Sequence, residues 1–433
     1  MSFDAAPTRP QRIAIIGAGI SGLAAAWLLS PKHRVTLFEA APRLGGHART
    51  VIAGKWGDQP VDTGFIVFNY ANYPHLTRLF HELDVPVAKS EMSFGATIDA
   101  GRVEYGLRNL SALAAQRANL LRPGFMRMVR DIFRFNAGAE TAAREGQTIG
   151  ELIRALGLGP WFERYYLMPI CGAIWSTPEQ QIRDFPARAL LTFFRNHALL
   201  SATGQHQWWT VEGGSIEYVR RLEAHLRATG CTIRTGTPVA AVSRHGGGAT
   251  LRAEGGLPER YDQVIFACHP DQALRLLSDA SPEEASTLGA VRYQDNRAVL
   301  HADEGQMPRR RACWSSWVYQ SDGARPGHDA PSIGVTYWMN RLQNIKESDP
   351  LFVTLNPARP VREELIYDEV TFRHPVFDTA AHDAQIRLRH LQGRSGTWFA
   401  GAWTRHGFHE DGFASAVRIA REMEPKLAVA HGA

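Results

Sequence analysis

Cysteine and lysine are scarce in this chain, and long apolar runs are absent. Its 433 residues include four cysteines, Cys171, Cys231, Cys268 and Cys313, with no C-x-x-C pair and no zinc-ligand spacing. That pattern excludes a disulfide scaffold and a structural metal site, and it points to a reducing compartment. Lysine occurs only at Lys32, Lys55, Lys89, Lys346 and Lys426, so almost all basic charge is arginine. The stretch from Ile13 to Leu29 follows Arg12 as a signal peptide would, but three glycines interrupt it. No segment supplies the roughly 18 uninterrupted apolar residues of a spanning helix. There is no internal repeat, low-complexity tract or long linker. A soluble cytoplasmic protein is expected.

With 44% hydrophobic and 21% charged residues, the chain is globular in composition, and its length suggests two or three domains. The net charge of +5 permits attraction to nucleic acid, an anionic membrane surface or an acidic substrate, and selects none of them. Arg12 to Ile16 reads as a strand, Gly17 to Gly22 as a glycine loop, Leu23 to Leu29 as a helix, and Arg34 to Phe38 as a second strand. Further β-like runs occur at Cys231–Arg234, Ala249–Ala253, Gln263–Cys268 and Thr397–Ala400, the last leading into a helix through Ala414–Glu422. Pro74–Leu200 reads mostly as helix, with a capping box at Thr148 and Glu151 and another helix start at Thr177-Pro178. From Val291 to Phe372, aromatic-rich runs such as Trp314–Tyr319 and Ile333–Trp338 suggest a second sheet, with Gln320–Pro331 as a mobile surface loop.

Gly17, Gly19 and Gly22 make G-x-G-x-x-G between a strand and a helix, where glycine allows a tight turn and close approach to a pyrophosphate at the helix N-terminus. Glu39 ends the second strand, about twenty residues on, where a carboxylate can accept hydrogen bonds from both ribose hydroxyls of an adenosine. A carboxylate there also disfavours a 2′-phosphate.

Arg43-Leu44-Gly45-Gly46-His47-Ala48-Arg49-Thr50 and Val61-Asp62-Thr63-Gly64-Phe65 follow. Together with Val264-Ile265-Phe266-Ala267, Trp398-Phe399-Ala400-Gly401-Ala402-Trp403 and Gly412-Phe413-Ala414-Ser415-Ala416, they resemble the FAD-binding amine oxidase and phytoene desaturase superfamily. The runs V-D-T-G-F-I-V-F-N and G-F-H-E-D-G are similar to a bacterial group described as predicted NAD/FAD-binding proteins, whose genes accompany cyclopropane-fatty-acid-synthase-like methyltransferases. The resemblance implies an α/β fold: a Rossmann-type FAD-binding domain built from residues 1–73, 205–290 and 391–433. A discontinuous substrate domain would comprise a helical insertion, 74–204, and a β-sheet, 291–390. It implies FAD contacts from Gly17, Gly19, Ile20, Ser21, Gly22, Glu39, Ala40, Arg43, Gly45, Gly46, His47, Thr63, Gly64, Phe65, Val239, Ala267, Gly401, Ala402, Gly412, Phe413 and Ala416. Gly412 and Phe413 would aim a helix N-terminus at the flavin's pyrimidine edge. The superfamily's usual acidic residue is replaced by Ala402, with Glu410 or Asp411 as substitutes, and no attachment cysteine matches, so the FAD is expected to be noncovalent.

The resemblance makes Tyr165–Ser176 a segment over the flavin, lining a substrate cavity, although such apolar runs are commonly core. Trp208 and Trp209 read better as packing. No lysine stands in an amine-oxidase context, which favours hydride abstraction from a hydrophobic substrate, most readily desaturation of an unsaturated or methylated fatty acyl chain. A flavin-dependent amine oxidase, a redox-neutral double-bond isomerase and a non-catalytic lipid escort are the alternatives. His409 and Glu410 are the candidate acid/base residues, with helix capping as their other reading. His406 and His409 form H-x-x-H without a third ligand, so no metal is expected. The expected partner is a hydrophobic or lipid substrate rather than nucleic acid, and the sequence names no electron acceptor. On a helix from Arg122 to Phe135, Arg127, Arg130 and Arg134 share one face. That helix reads either as self-packed with a solvated edge or as an interfacial helix on anionic lipid, on the inner face of the membrane.

Overall fold

The computed structural model describes residues 9–175, 182–196, 206–322 and 332–424. The strand Arg12–Ile16 buries Ile13, Ala14, Ile15 and Ile16, as a strand covered on both faces must. It is the central strand of a five-stranded parallel sheet ordered Thr232–Arg234, Arg34–Phe38, Arg12–Ile16, Gln263–Phe266, Thr397–Phe399. Alternate residues serve opposite cores, as the two-residue strand period requires. Ile13, Ile15, Leu37 and Ile265 pack with the helix Ile20–Leu29, all of whose residues are buried, and with the C-terminal helix His409–Met423. Ala14, Ile16, Phe38 and Phe266 pack under the three-stranded meander Val239–His245, Gly248–Ala253, Glu259–Tyr261. The three sequence segments assigned to the FAD-binding domain thus each contribute strands to one sheet.

The second sheet has seven strands, ordered Ile366–Pro375, Tyr293–His301, Phe352–Leu355, Ser332–Trp338, Trp317–Asp322, Phe94–Ile98, Val103–Gly106. Its pairings are antiparallel except that between Trp317–Asp322 and Phe94–Ile98. Phe94–Ile98 and Val103–Gly106 lie in the stretch expected to be mostly helix. They form a hairpin because Asp99, Ala100 and Gly101 turn the chain with φ of +52°, +55° and +89°. Val87–Ser90 is a further strand in that stretch, paired with Trp208–Val211, whereas Pro123–Ala142 and Ile149–Ala155 are helices as expected, and Thr148 and Glu151 make both bonds of the capping box. Thr177-Pro178 lies outside the described residues. Gln320–Asp322 completes a strand, and the remainder of the expected loop, 323–331, also lies outside them. No described helix is long and apolar enough to cross a membrane.

Tyr165, Tyr166, Leu167, Met168, Ile170 and Cys171 are buried in one core with Phe94, Trp317 and Tyr319, so through Cys171 this segment is packing rather than exposed cavity wall. Trp208 and Trp209 pack on the nucleotide-domain core near Tyr73 and Tyr70, as expected of packing tryptophans.

Asp62 ties the two domains at one point. Its fully buried carboxylate accepts from Thr50 Oγ1 at 2.6 Å, Ser215 N at 2.8 Å, Ser215 Oγ at 2.7 Å and Gln343 Nε2 at 2.9 Å. Burial pushes its pKa up to about 6 although these donors pull it down. Asp62→Ala would leave these donors without an acceptor. It should cost about 3 kcal/mol or more of unfolding free energy by denaturant titration, with FAD content per folded molecule held near wild type.

Candidate functional site

The glycine loop explains itself atom by atom. Gly17 has φ +102°, and a Cβ there would stand 2.7 Å from the Ala267 carbonyl oxygen. A Cβ on Gly22 would overlap the carbonyl oxygen of Gly17. At Gly19 a Cβ would meet nothing within 4 Å, so the loop is open to a ligand where the helix Ile20–Leu29 begins. The Ile20 and Ser21 side chains do not face that opening: both are buried, each 2.8 Å from where a Cβ on Gly412 would stand. What they can offer a ligand is first-turn backbone N–H.

Glu39 closes the loop from the next strand, accepting from Ala18 N at 2.7 Å and Ala41 N at 2.9 Å. Ala40 is exposed in the turn between them. The chain leading to Val239 runs alongside, with Thr237 N on the Glu39 carbonyl at 2.9 Å and Gly236 N on that of Ala41 at 2.9 Å. Gly45 and Gly46, φ +104° and +57°, form a second turn laid on the first. Gly45 N donates to Ala18 O at 2.9 Å, and a Cβ on Gly46 would stand 3.0 Å from Gly19 Cα. Arg43 holds this turn from outside, with bonds to the carbonyls of Leu44, Gly46 and Ala48 at 3.3, 2.8 and 3.2 Å. A Cβ on Gly64 would overlap the His47 carbonyl oxygen, which accepts from Phe65 N at 2.9 Å. Thr63 is buried and donates to Arg49 O at 3.2 Å.

In the C-terminal motif, Gly401 N donates to Ser415 Oγ at 2.9 Å, and the Ala402 amide lies beside Gly412, where the C-terminal helix crosses the glycine-loop helix. Phe413 and Ala416 are corrected: both are buried in the helix-packing core, Phe413 against Trp27 and His75, rather than turned to a cofactor. Glu410 and Asp411 do not substitute for the acid missing at Ala402. Glu410 accepts from His75 N at 2.9 Å and Leu76 N at 3.0 Å, capping the helix Pro74–Glu82. Asp411 accepts from Phe408 N at 3.0 Å and His406 N at 3.3 Å. Burial pushes the Glu410 carboxyl up to about 7, but its partners make it a cap rather than a proton acceptor, which corrects its candidate role. His409 stacks on Phe65 at 4.0 Å, its Nε2 2.6 Å from the Tyr218 hydroxyl, and burial lowers its pKa to about 3.

Facing this wall is a group of rings from both domains. His47 stacks on Phe372 at 4.8 Å and lies 5.4 Å from His374 and 6.4 Å from His269, which in turn stacks on Tyr293 at 4.1 Å. Burial lowers His47 to about 3, and His269 and His374 to about 4, so all three are neutral near pH 7. Hydrogen bonds settle the His374 tautomer. The Arg297 amide donates to Asn356 Oδ1 at 2.9 Å, Asn356 Nδ2 to Asn296 Oδ1 at 2.7 Å, and Asn296 Nδ2 to His374 Nδ1 at 3.0 Å. A backbone N–H can only donate, so the relay has one direction and the proton sits on Nε2. The His47 Nε2 atom is buried without a hydrogen-bond partner among the described residues. His47, His269, His374 and His409 keep partial solvent access despite the protein around them, as walls of a cleft do. Neighbouring charges are paired, Arg49 with Asp368 at 2.6 Å and Arg373 with Asp271 at 3.0 Å. Sequence reasoning missed His269, Tyr293, Phe372 and His374. The available signals were that Cys268-His269 follows a parallel strand's carboxyl end, and that Phe372 and His374 alternate on one strand face.

Behind the Gly401–Thr404 turn opens a cavity of about 450 Å³, walled by Phe185, Phe377 and Ile386 and by Arg389, Arg405 and Arg418. Among the described residues no set of histidine, cysteine and carboxylate side chains could hold a metal ion.

Residues 20–296 match the model of the flavin containing amine oxidoreductase family. The chain belongs to this family. The L-amino-acid oxidase of Sistrurus catenatus edwardsii is 46% identical over 52 residues, which is 12% of this chain and 10% of that protein. The L-amino-acid oxidase of Crotalus adamanteus is 44% identical over 52 residues, with the same coverage of 12% and 10%. The match therefore spans about a tenth of the length of these curated relatives. The CLA-producing fatty acid isomerase of P. acnes superposes with TM-score 0.69 at 16% identity, covering 96% of this chain and 99% of that one. Cyclohexylamine oxidase from Brevibacterium oxydans superposes with TM-score 0.67 at 15% identity, covering 96% and 100%. At such identities the likeness establishes the fold, and the family is one of flavin-containing amine oxidoreductases.

The residues present fit FAD. Gly19 leaves a cradle that a Cβ would fill, Glu39 follows the second strand, and the buried His47 Nε2 lacks a partner of the kind a ribityl hydroxyl supplies. Burial pushes the nearby Cys268 thiol up to about 12, so it stays protonated and unreactive, in keeping with dissociable cofactor. Glu39→Ala should raise the FAD dissociation constant about tenfold or more, measured by equilibrium titration of apoprotein. Glu410→Gln exchanges one capping acceptor for a donor. It should lower the melting temperature by several degrees, yet leave kcat of the folded, FAD-loaded protein within about twofold.

Proposed function

We propose that the protein uses FAD to remove hydride from an apolar substrate, a long acyl chain, with desaturation as the net reaction. The observation that carries this reading is the neutrality of the cleft. Its walls are aromatic rings and uncharged imidazoles, and its nearest charges are spent on each other. All four described lysines are exposed on the surface. An amine arrives as a cation, so it would need a carboxylate or a deprotonating base that these walls do not offer, whereas a hydrocarbon needs orientation and exclusion of water. The 450 Å³ cavity mixes apolar walls with arginines and with Asp378 and Glu422, so it does not by itself select a substrate. The structural neighbours include a fatty acid isomerase and amine oxidases alike, so the local chemistry has to choose between them.

FAD, when bound, supplies the two-electron hydride acceptor, to be reoxidised by an external acceptor such as oxygen or a quinone. The chain contributes the rest. Phe65, Phe372 and Tyr293 pack the reacting carbons, and water takes the proton that leaves the adjacent carbon as the double bond forms. Anaerobic mixing tests this. Unsaturated long-chain fatty acids should bleach the flavin's visible absorbance and yield a product lighter by two hydrogens. Bleaching by primary amines or polyamines, with none by fatty acids, would overturn it. A product of unchanged mass with a moved double bond would assign isomerisation instead.

A further inference from the structure

Between Leu107 and Arg134 the chain reverses the usual partition of polar and apolar side chains. Gln116, Asn119 and Asp131 are 5%, 0% and 0% exposed, whereas Leu110, Leu120, Leu121 and Met126 are 82%, 48%, 87% and 50% exposed. Hydrogen bonds cause the inversion. Gln116 Oε1 accepts from Glu104 N at 2.7 Å, and Asn119 Nδ2 donates to Glu104 O at 2.9 Å, so both side chains are drawn in against the strand Val103–Gly106. Asp131 Oδ2 accepts from Gly159 N at 2.8 Å. With these polar groups facing inward, the intervening leucines have only solvent to face. The helix Pro123–Ala142 turns Phe125, Met128 and Phe135 into its own core, and Arg127, Arg130 and Arg134 gather round Asp131 at 3.8, 3.3 and 3.4 Å. The arginine face of that helix keeps a half-exposed edge tethered to Asp131, and the surface just before it has no partner among the described residues.

We propose that this surface docks on an anionic lipid bilayer, with Leu110, Leu120 and Leu121 entering the acyl region and Arg102, Arg108 and Arg117 engaging the headgroups. Charge selects this occupant. Those three arginines are exposed and form no ion pair among the described residues, and Asp131, already surrounded by arginines, is the sole acidic residue from Leu107 to Arg134. A second copy laid face to face would set arginine against arginine, whereas an anionic membrane supplies both the charge and the apolar phase. A docked enzyme could draw an acyl substrate directly from lipid, but the surface is argued without that substrate, and its test reads no turnover.

The FAD-loaded protein is sedimented with vesicles of phosphatidylcholine alone, or of phosphatidylcholine mixed with phosphatidylglycerol. It should pellet with the mixed vesicles only, and less as salt is raised. Leu120→Ser with Leu121→Ser, and separately Arg108→Gln with Arg117→Gln, should each weaken binding about tenfold or more, the arginine pair also flattening the salt dependence. All four side chains are exposed, so unchanged flavin content and melting temperature will show that the variants fold. No pelleting, equal pelleting with both vesicle types, or undiminished binding by both variants would overturn the proposal. So would a dimer seen by light scattering that the serine pair dissolves.

Discussion

At one place in this molecule two stretches of main chain must touch with no side chain between them. The Gly45-Gly46 turn lies on the Gly17–Gly19 loop, held by the bond from Gly45 N to Ala18 O and closed to any Cβ on Gly46 by Gly19 Cα. The contact sets the direction in which the chain leaves the nucleotide sheet. Arg43 then fixes the turn from outside, the His47 carbonyl meets Gly64 and Phe65, and Asp62 reaches the start of the helix Ile216–Ala228. His47, Gly64 and Phe65 therefore inherit their positions from a contact between glycine turns. The same geometry explains why Gly19 is left open while Gly17 and Gly22 are not: two of the three glycines serve the loop's own closure, and one serves the ligand.

Electrostatics completes what packing begins. The buried titratable groups around the cleft are kept in their uncharged forms, the imidazoles below their ordinary pKa, because burial penalises charge more than the local partners reward it. The charges that remain are consumed in pairs or spent on backbone amides. A fixed array of neutral donors and acceptors results, and the Asn356–Asn296–His374 relay gives it a defined polarity from one backbone N–H. Such an array presents fixed dipoles and no net charge to whatever lies against it.

Much of this could be read from the residues themselves. The parallel sheet, the glycine loop, Glu39 and the discontinuous domain plan follow from short-range patterns: a β-branched run, a glycine spacing, a carboxylate at a strand end. The Phe94–Gly106 hairpin was hidden because its turn, Asp99-Ala100-Gly101, takes positive φ at two non-glycine residues, which no common turn signature announces. The glycine turns were legible in the sequence, and the ring cluster around His47 was not. His374 and Phe372 are distant in sequence from His47, and only the register of Ile366–Pro375 beside Tyr293–His301 brings them together. Glu410 was misjudged for a related reason. A carboxylate in a histidine-rich loop resembles an acid/base group until the His75 and Leu76 amides, far away in sequence, are seen to occupy it. Phe413 and Ala416 likewise belong to a motif whose shape serves helix packing as much as cofactor contact.

The burial of every residue of the helix Ile20–Leu29 has a consequence for how the protein comes into being. Its apolar surface is covered by the C-terminal helix His409–Met423, and the sheet beneath it gains its last edge only with Thr397–Phe399. The helix Ile216–Ala228 covers another part of it. These partners stand roughly two hundred and four hundred residues along the chain, so loops of that length must close before the burial that rewards them. The nucleotide domain is therefore built almost wholly of long-range contacts, and its condensation waits on segments that flank the whole insertion and the whole seven-stranded sheet.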